Sequence, residues 1–139
     1  MKKDALTIAL RYLKFRPRSV FEIRKKLEAK RIDDKEIEKV VSVLKKNKLL
    51  DDKEFAKMWV RDRNLLKPSG SYLLKMELRR VGISDDIIEE VLTPQRDEVL
   101  AKKALEMKYR ERDIEYEKKV GFLQRRGFST GVIYKILKN

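Results

Sequence analysis

Three stretches of the chain align with one another without gaps: LEAKRIDDKEIEKVV (residues 27–41), LRRVGISDDIIEEVL (78–92) and LQRRGFSTGVIYKIL (123–137). They begin 51 and 45 residues apart, and their apolar positions match from end to end. A period of this length is typical of helical repeat proteins, in which each repeat is a small unit that packs on its neighbours.

Each stretch predicts the end of one helix, a tight turn and the start of the next helix. In two copies the helix is followed by a glycine, Gly82 or Gly127, which readily adopts the left-handed conformation found past helix ends. Arg31 occupies this position in the first copy, at some conformational cost. The residues that would then cap the next helix are Asp33, Ser84 and Ser129.

A further helix precedes each stretch, so each repeat has three helices. In the first copy that helix ends before Pro17, and Ser19 with Glu22 makes a capping box for the second. We therefore predict an all-α protein of three tandem three-helix, helix-turn-helix-like repeats, forming an elongated curved array. The repeats are residues 1–50, 51–94 and 95–139. The predicted core includes Phe15, Phe21, Leu27, Phe55, Trp59, Leu78, Leu123 and Phe128.

Positive charge dominates the chain and is concentrated at its two ends. The 139 residues include 36 Lys and Arg against 23 Asp and Glu, a net charge of +13. Residues 1–50 carry a net charge of +9, residues 51–95 carry −1 and residues 96–139 carry +5. Such an excess indicates an anionic partner, either nucleic acid or an acidic protein surface.

The sequence lacks the residues that several classes of protein need for their function. The sequence has no cysteine and no histidine, which removes thiol chemistry, disulfides and the commonest proton shuttle and metal ligand. No apolar run approaches the roughly 20 residues that span a bilayer, and the charged start is unlike a signal peptide. We expect a cytoplasmic monomer without a cofactor, metal or membrane contact, and not an enzyme.

Paired aspartates are the one feature that a metal-dependent nuclease could use, at residues 33–34, 51–52 and 85–86. Each pair falls at a predicted helix start, where aspartate caps free N–H groups and suits the positive end of the helix dipole. Capping is therefore the favoured interpretation of these pairs.

Basic residues recur at equivalent repeat positions, especially near the end of each second helix. A single cluster of this kind is more often a solvated helix face than a binding site, but recurrence together with the net charge favours binding. The candidate binding face comprises Arg16, Arg18, Arg24, Lys25, Lys30, Arg31, Arg79, Arg80, Lys118, Lys119, Arg125 and Arg126.

The helix, short turn and helix of each repeat also have the form of a helix-turn-helix DNA reader, so a free-standing DNA-binding protein is the alternative. In that interpretation the third helix of each repeat enters the major groove. The third helix of the middle repeat begins SDDIIEE (84–90), whose carboxylates phosphate would repel. A mixed surface of protein and nucleic acid fits the charge pattern better.

The sequence resembles the RecX family of recombinase regulators over its whole length. The resemblance rests on RPRS (16–19) with Glu22 and Leu27, and on LLDD (49–52) followed by FA (55–56) and VR (60–61). It rests also on Leu78 with Gly82, and on RGFS (126–129) with Ile133. The chain departs from the family at residues 70–71, where Gly-Ser replaces the usual Gly-Pro.

This resemblance implies a protein that binds the RecA recombinase, above all its filament on single-stranded DNA. Family members lodge in the filament groove and inhibit ATP hydrolysis, strand exchange and filament growth. We accordingly expect a negative modulator of RecA that acts by binding, with weak and non-specific affinity for single-stranded DNA alone.

Overall fold

The structure, a computed structural model, describes residues 4–138, and all regular structure in that span is helical. Nine helices lie there, in the order α1 (Ala5–Phe15), α2 (Val20–Ala29), α3 (Asp34–Lys46), α4 (Asp52–Leu66), α5 (Ser71–Arg80), α6 (Asp85–Leu92), α7 (Asp97–Tyr109), α8 (Tyr116–Arg125) and α9 (Thr130–Leu137). The predicted all-α class is confirmed.

The helices pack in threes, α1 to α3, α4 to α6 and α7 to α9, and each triad encloses an apolar cluster of its own. Leu27, Leu78 and Leu123 lie at equivalent places in these clusters and are completely buried. The three-repeat prediction is therefore confirmed. The exact divisions at residues 50 and 94 stay predictions.

The turn after the second helix is the same in all three repeats. The backbone N–H of Ile83 donates to the carbonyl of Leu78 at 3.0 Å, and the equivalent bonds in the other repeats measure 3.1 Å. Gly82 and Gly127 have φ of 81° and 85°, and Arg31 has φ of 60°. The left-handed turn predicted from the glycines thus forms in the first repeat too, although an arginine adopts it there.

Side chains cap the helices largely as the sequence predicts. Ser19 and Glu22 form both bonds of a capping box at the start of α2, whereas Asp33 makes only the bond to the backbone N–H of Glu36. Ser84 and Ser129 cap α6 and α9. These bonds satisfy N–H groups that would otherwise lack a partner at the helix start.

Neighbouring repeats are joined by hydrogen bonds to the start of a second helix. At the first junction the Ser19 hydroxyl donates to the carbonyl of Val81 at 2.6 Å. The backbone N–H of Val20 donates to Oδ1 of Asp52 at 2.8 Å. The N-terminus of α2 is therefore held by the following repeat and not by the first repeat alone.

The second junction uses equivalent positions. The backbone N–H of Gly70 donates to the carbonyl of Arg126 at 2.7 Å. The backbone N–H and the hydroxyl of Ser71 donate to the two carboxylate oxygens of Asp97 at 3.1 and 3.0 Å. A proline at position 71, as in the family that the chain resembles, has no N–H to give to Asp97.

Two aromatic residues that the sequence placed in the core lie on the surface. Phe55 and Phe128 are buried, but Phe15 is 82% exposed and Phe21 is 40% exposed. Phe15 is the last residue of α1. Phe21 lies at the first junction, where its side chain packs against Gly82. The core prediction is wrong for these two residues.

Candidate binding surface

Three of the twelve candidate basic residues are already neutralised by carboxylates. The ion pairs join Arg16 to Glu22, Arg24 to Glu38 and Arg79 to Asp85. All three arginines remain partly exposed, so a ligand can reach them. A phosphate or an acidic side chain would nevertheless have to compete with the existing carboxylate for the same N–H groups.

The pair between Arg79 and Asp85 is the best formed of these. Nε and Nη2 of Arg79 donate to the two carboxylate oxygens at 2.9 and 3.2 Å, which is the bidentate geometry. The hydrogen bond from Arg79 lowers the pKa of Asp85 below its usual value, and the same bond raises the pKa of Arg79. Both groups are therefore charged at neutral pH, and Arg79 is not a free cation.

Arg18 and Arg126 are used inside the fold. Nε of Arg18 donates to the carbonyl of Tyr12 at 3.2 Å, and its guanidinium lies 3.6 Å from the centre of that ring. Nη1 of Arg126 donates to the carbonyl of Pro68 at 3.0 Å, across the second junction. Burial lowers the pKa of Arg126, and the nearby charge of Arg63 lowers it further.

The remaining seven candidates have no ion-pair partner among residues 4–138. They are Lys25, Lys30, Arg31, Arg80, Lys118, Lys119 and Arg125. Lys25 lies 5.4 Å from the centre of the Phe21 ring. These unpaired cations lose least when they bind an anion, because no ion pair has to be broken.

Four of the seven unpaired cations line two grooves. The first, which we call the N-terminal groove, encloses about 980 Å³ against α1 and the turn after α2. Its basic side chains are Lys30, Arg31, Arg11 and Lys26, and the exposed ring of Phe15 stands at its rim. Three carboxylates also line it, so the groove offers both charges beside an aromatic face.

The second, which we call the C-terminal groove, encloses about 460 Å³ between α7 and α8. Lys118 and Arg125 lie there with Lys108, and the ring of Tyr109 forms part of the wall. One carboxylate, that of Glu117, faces these three cations. The candidate face predicted as one surface is therefore divided between the first and the third repeat.

Arg11, Lys26 and Lys108 were not in the predicted set. Arg11 and Phe15 are four residues apart on α1, which places them on one helix face. That spacing was visible in the sequence, but Phe15 was assigned to the core. Lys108 carried no signal of its own, because it joins Lys118 only through the packing of α7 against α8.

The middle repeat offers few free cations. Its third helix, α6, carries exposed carboxylates, including that of Glu90, which binds Lys53 at 2.6 Å. The hydrogen bond from Lys53 lowers the pKa of Glu90, so this helix stays acidic at neutral pH. An acidic recognition helix is repelled by phosphate, which disfavours major-groove reading by this repeat.

Two further properties bear on the class of site. No group of three or more potential metal-ligating side chains of His, Cys, Asp or Glu is found within residues 4–138. Over the same span, no helix combines the length and the apolar character that a bilayer crossing requires. Asp33 and Asp51 accept hydrogen bonds at helix starts, as their capping interpretation predicts.

Comparison with known proteins identifies the family. Residues 5–44 match the model of the RecX first three-helix domain, and residues 51–92 match that of the RecX second three-helix domain. The regulatory protein RecX of Chlorobium phaeobacteroides is 35% identical over 97% of this chain and 92% of its own length. That of Prosthecochloris aestuarii is 47% identical over 65% of this chain, and the match spans 60% of the relative.

The solved structures agree with the sequences. The crystal structure of RecX from Lactobacillus salivarius superposes with a TM-score of 0.79 and 27% identity, over 96% of this chain and 92% of that one. Family models, relatives and fold therefore lead to one assignment. The chain belongs to the RecX family of regulatory proteins.

Proposed function

We propose that this protein binds the RecA recombinase and its filament on single-stranded DNA, and inhibits ATP hydrolysis, strand exchange and filament growth. Through that action it modulates DNA repair and recombination in the cytoplasm. It acts by binding and not as an enzyme. The observation that carries the proposal is the set of unpaired cations in two grooves at opposite ends of a RecX-family array.

The charge distribution supports a composite target. A bare single strand presents a uniform line of phosphates, which a uniformly basic surface would match best. This chain instead has basic first and third repeats on either side of an acidic middle one. Such alternation suits a surface on which protein and phosphate alternate, because each charge then meets its opposite.

The aromatic residues beside both grooves support contact with single-stranded DNA in particular. Phe15 stands exposed at the N-terminal groove, and Tyr109 lines the C-terminal groove. Unpaired bases stack on aromatic side chains at about 1–3 kcal/mol per base, whatever the sequence. The bases of a duplex are already stacked, so the same residues add nothing there.

The test is the ATPase activity of RecA on single-stranded DNA, with and without this protein. Two double reversals change the sign of the unpaired candidate cations in each groove, Lys30→Glu with Arg31→Glu and Lys118→Glu with Arg125→Glu. A matched control reverses Lys102 and Lys103, which are exposed on α7 outside both grooves. We expect inhibition by the natural chain, weaker inhibition by both groove variants, and nearly full inhibition by the control.

The same experiment can reject the proposal. A natural chain that leaves the ATPase unchanged at saturating concentration contradicts it. Equal loss in all three variants would mean that only net charge matters, and would contradict the role of the grooves. Tight, salt-resistant binding to one duplex sequence would instead establish the alternative, a free-standing helix-turn-helix DNA-binding protein.

A further inference from the structure

The two junctions between repeats show what a repeat needs in order to dock on its neighbour. The docking repeat presents the turn after its second helix, with a glycine at position 82 or 127, and an aspartate at the start of its first helix. The receiving repeat presents the N-terminus of its second helix. Within residues 4–138, one face of the first repeat and one face of the third are covered by no other repeat, and we call them the outer faces. They can be compared position by position with these junctions.

The turn glycine is tightly enclosed at both junctions. A methyl group on Gly82 would overlap the side chain of Phe21, and one on Gly127 would overlap the backbone and Cβ of Leu73. The docking face therefore requires the absence of a side chain here, besides the left-handed backbone. Any residue other than glycine keeps a second repeat from approaching to the distance seen in the structure.

The outer face of the first repeat lacks both docking features. Arg31 stands at the position of Gly82 and Gly127, in the same left-handed conformation, with its side chain exposed. Ala5 is the first residue of α1, where α4 and α7 begin with Asp52 and Asp97. This face thus has a long side chain where contact is closest, and lacks the carboxylate that would accept a backbone N–H.

The outer face of the third repeat lacks the receiving features. Glu115 stands at the position of Ser19, so a carboxylate replaces the hydroxyl that donates to the carbonyl of Val81 at the first junction. Glu117, the second residue of α8, stands where α2 has Phe21. The apolar contact that Phe21 makes with the turn at Gly82 therefore has no counterpart on this face.

We infer that Arg31 and Ala5 at one end, with Glu115 and Glu117 at the other, stop copies of this chain from docking head to tail through the geometry that joins its own repeats. A head-to-tail contact does not close on itself and would otherwise propagate into an open chain of molecules. The conformational cost of a left-handed arginine is thereby explained, since a glycine at position 31 would open the docking face. The inference is independent of RecA and DNA.

The test restores one face at a time, on the pattern of the first junction. One variant carries Ala5→Asp and Arg31→Gly, and the other carries Glu115→Ser and Glu117→Phe. The first variant then has a competent docking face and the second a competent receiving face, and the two are mixed in equal amounts. Sedimentation velocity should show a heterodimer that grows with concentration and stops at two molecules, because each remaining end is closed.

The controls distinguish docking through these faces from non-specific association. Each variant alone and the natural chain alone should sediment as monomers, and the Glu117→Phe variant should not associate with the natural chain. A single variant carrying all four substitutions should form species longer than two. Self-association of the natural chain overturns the inference. So does an equimolar mixture that stays monomeric while circular dichroism shows both partners helical.

Discussion

Gly82 is enclosed by its neighbours and Gly131 is not, so an added methyl group should change the free energy of unfolding in opposite directions at the two positions. Gly82 has φ of 81° and is enclosed by Phe21, whereas Gly131 lies in the first turn of α9, where a methyl group would meet no neighbouring atom within 4 Å. Gly82→Ala should lower the free energy of unfolding by at least about 1–2 kcal/mol, the cost of a left-handed alanine. Gly131→Ala should raise it by up to about 1 kcal/mol.

Urea unfolding followed by circular dichroism measures both changes. The slope of the transition should stay constant, so that the midpoint alone reports stability. Shifts of the same sign for the two variants would contradict the enclosure of this turn. At this scale the sequence was informative, because Gly82 and Gly127 predict the turn directly. The enclosure by Phe21 was not predictable, since it depends on how two repeats dock.

At the scale of the helices, the hydrogen bonds that join α5 to the following repeat should contribute more to the free energy of unfolding than a simple helix cap does. Asp97 accepts two hydrogen bonds from Ser71, and Asp86 lies in the first turn of α6 without such a partner. Both aspartates face the positive end of a helix dipole, so that contribution cancels in the comparison. Asp97→Ala should cost about 1.5–3 kcal/mol more than Asp86→Ala, the usual range for bonds to a charged group.

The measurement is again urea unfolding, with hydrogen exchange of the Ser71 amide as a local check. Equal stability of the two variants would contradict the proposed contribution of the hydrogen bonds between Ser71 and Asp97. The helices themselves were largely predictable, since Ser19, Ser84 and Ser129 cap the helices that their positions indicate. The bond from Ser71 to Asp97 was not, because the two residues are 26 apart and no local pattern links them.

For the whole molecule, we expect weak binding to single-stranded DNA that falls steeply with salt. Neutralising about four to six phosphates gives a log–log slope of roughly −3 to −4 on single strands. Asp85→Asn should strengthen this binding and steepen the slope by about 0.7, because it releases Arg79 for one more phosphate. Asp86→Asn changes the net charge equally but releases no bidentate arginine, and should leave the slope nearly unchanged.

Fluorescence anisotropy of a labelled oligonucleotide at several salt concentrations measures both slopes. Identical behaviour of the two asparagine variants would contradict the occlusion of Arg79. The pairing of Arg79 with Asp85 also shows why the candidate face was only partly predictable. Composition gives the charge of each region, but the geometry of a turn decides which cations are neutralised. The assignment of the seven unpaired cations to binding stays a prediction.

The most direct test adds the protein to RecA filaments that have already formed, when little free DNA remains. Filament binding predicts that ATP hydrolysis decays after late addition, and that reversing Lys30 and Arg31 slows this decay more than it weakens binding to bare single strands. A protein that merely competes for DNA would leave preformed filaments hydrolysing ATP at an unchanged rate. That result, or inhibition that follows bare-DNA affinity across all variants, would contradict the proposed recognition of the filament.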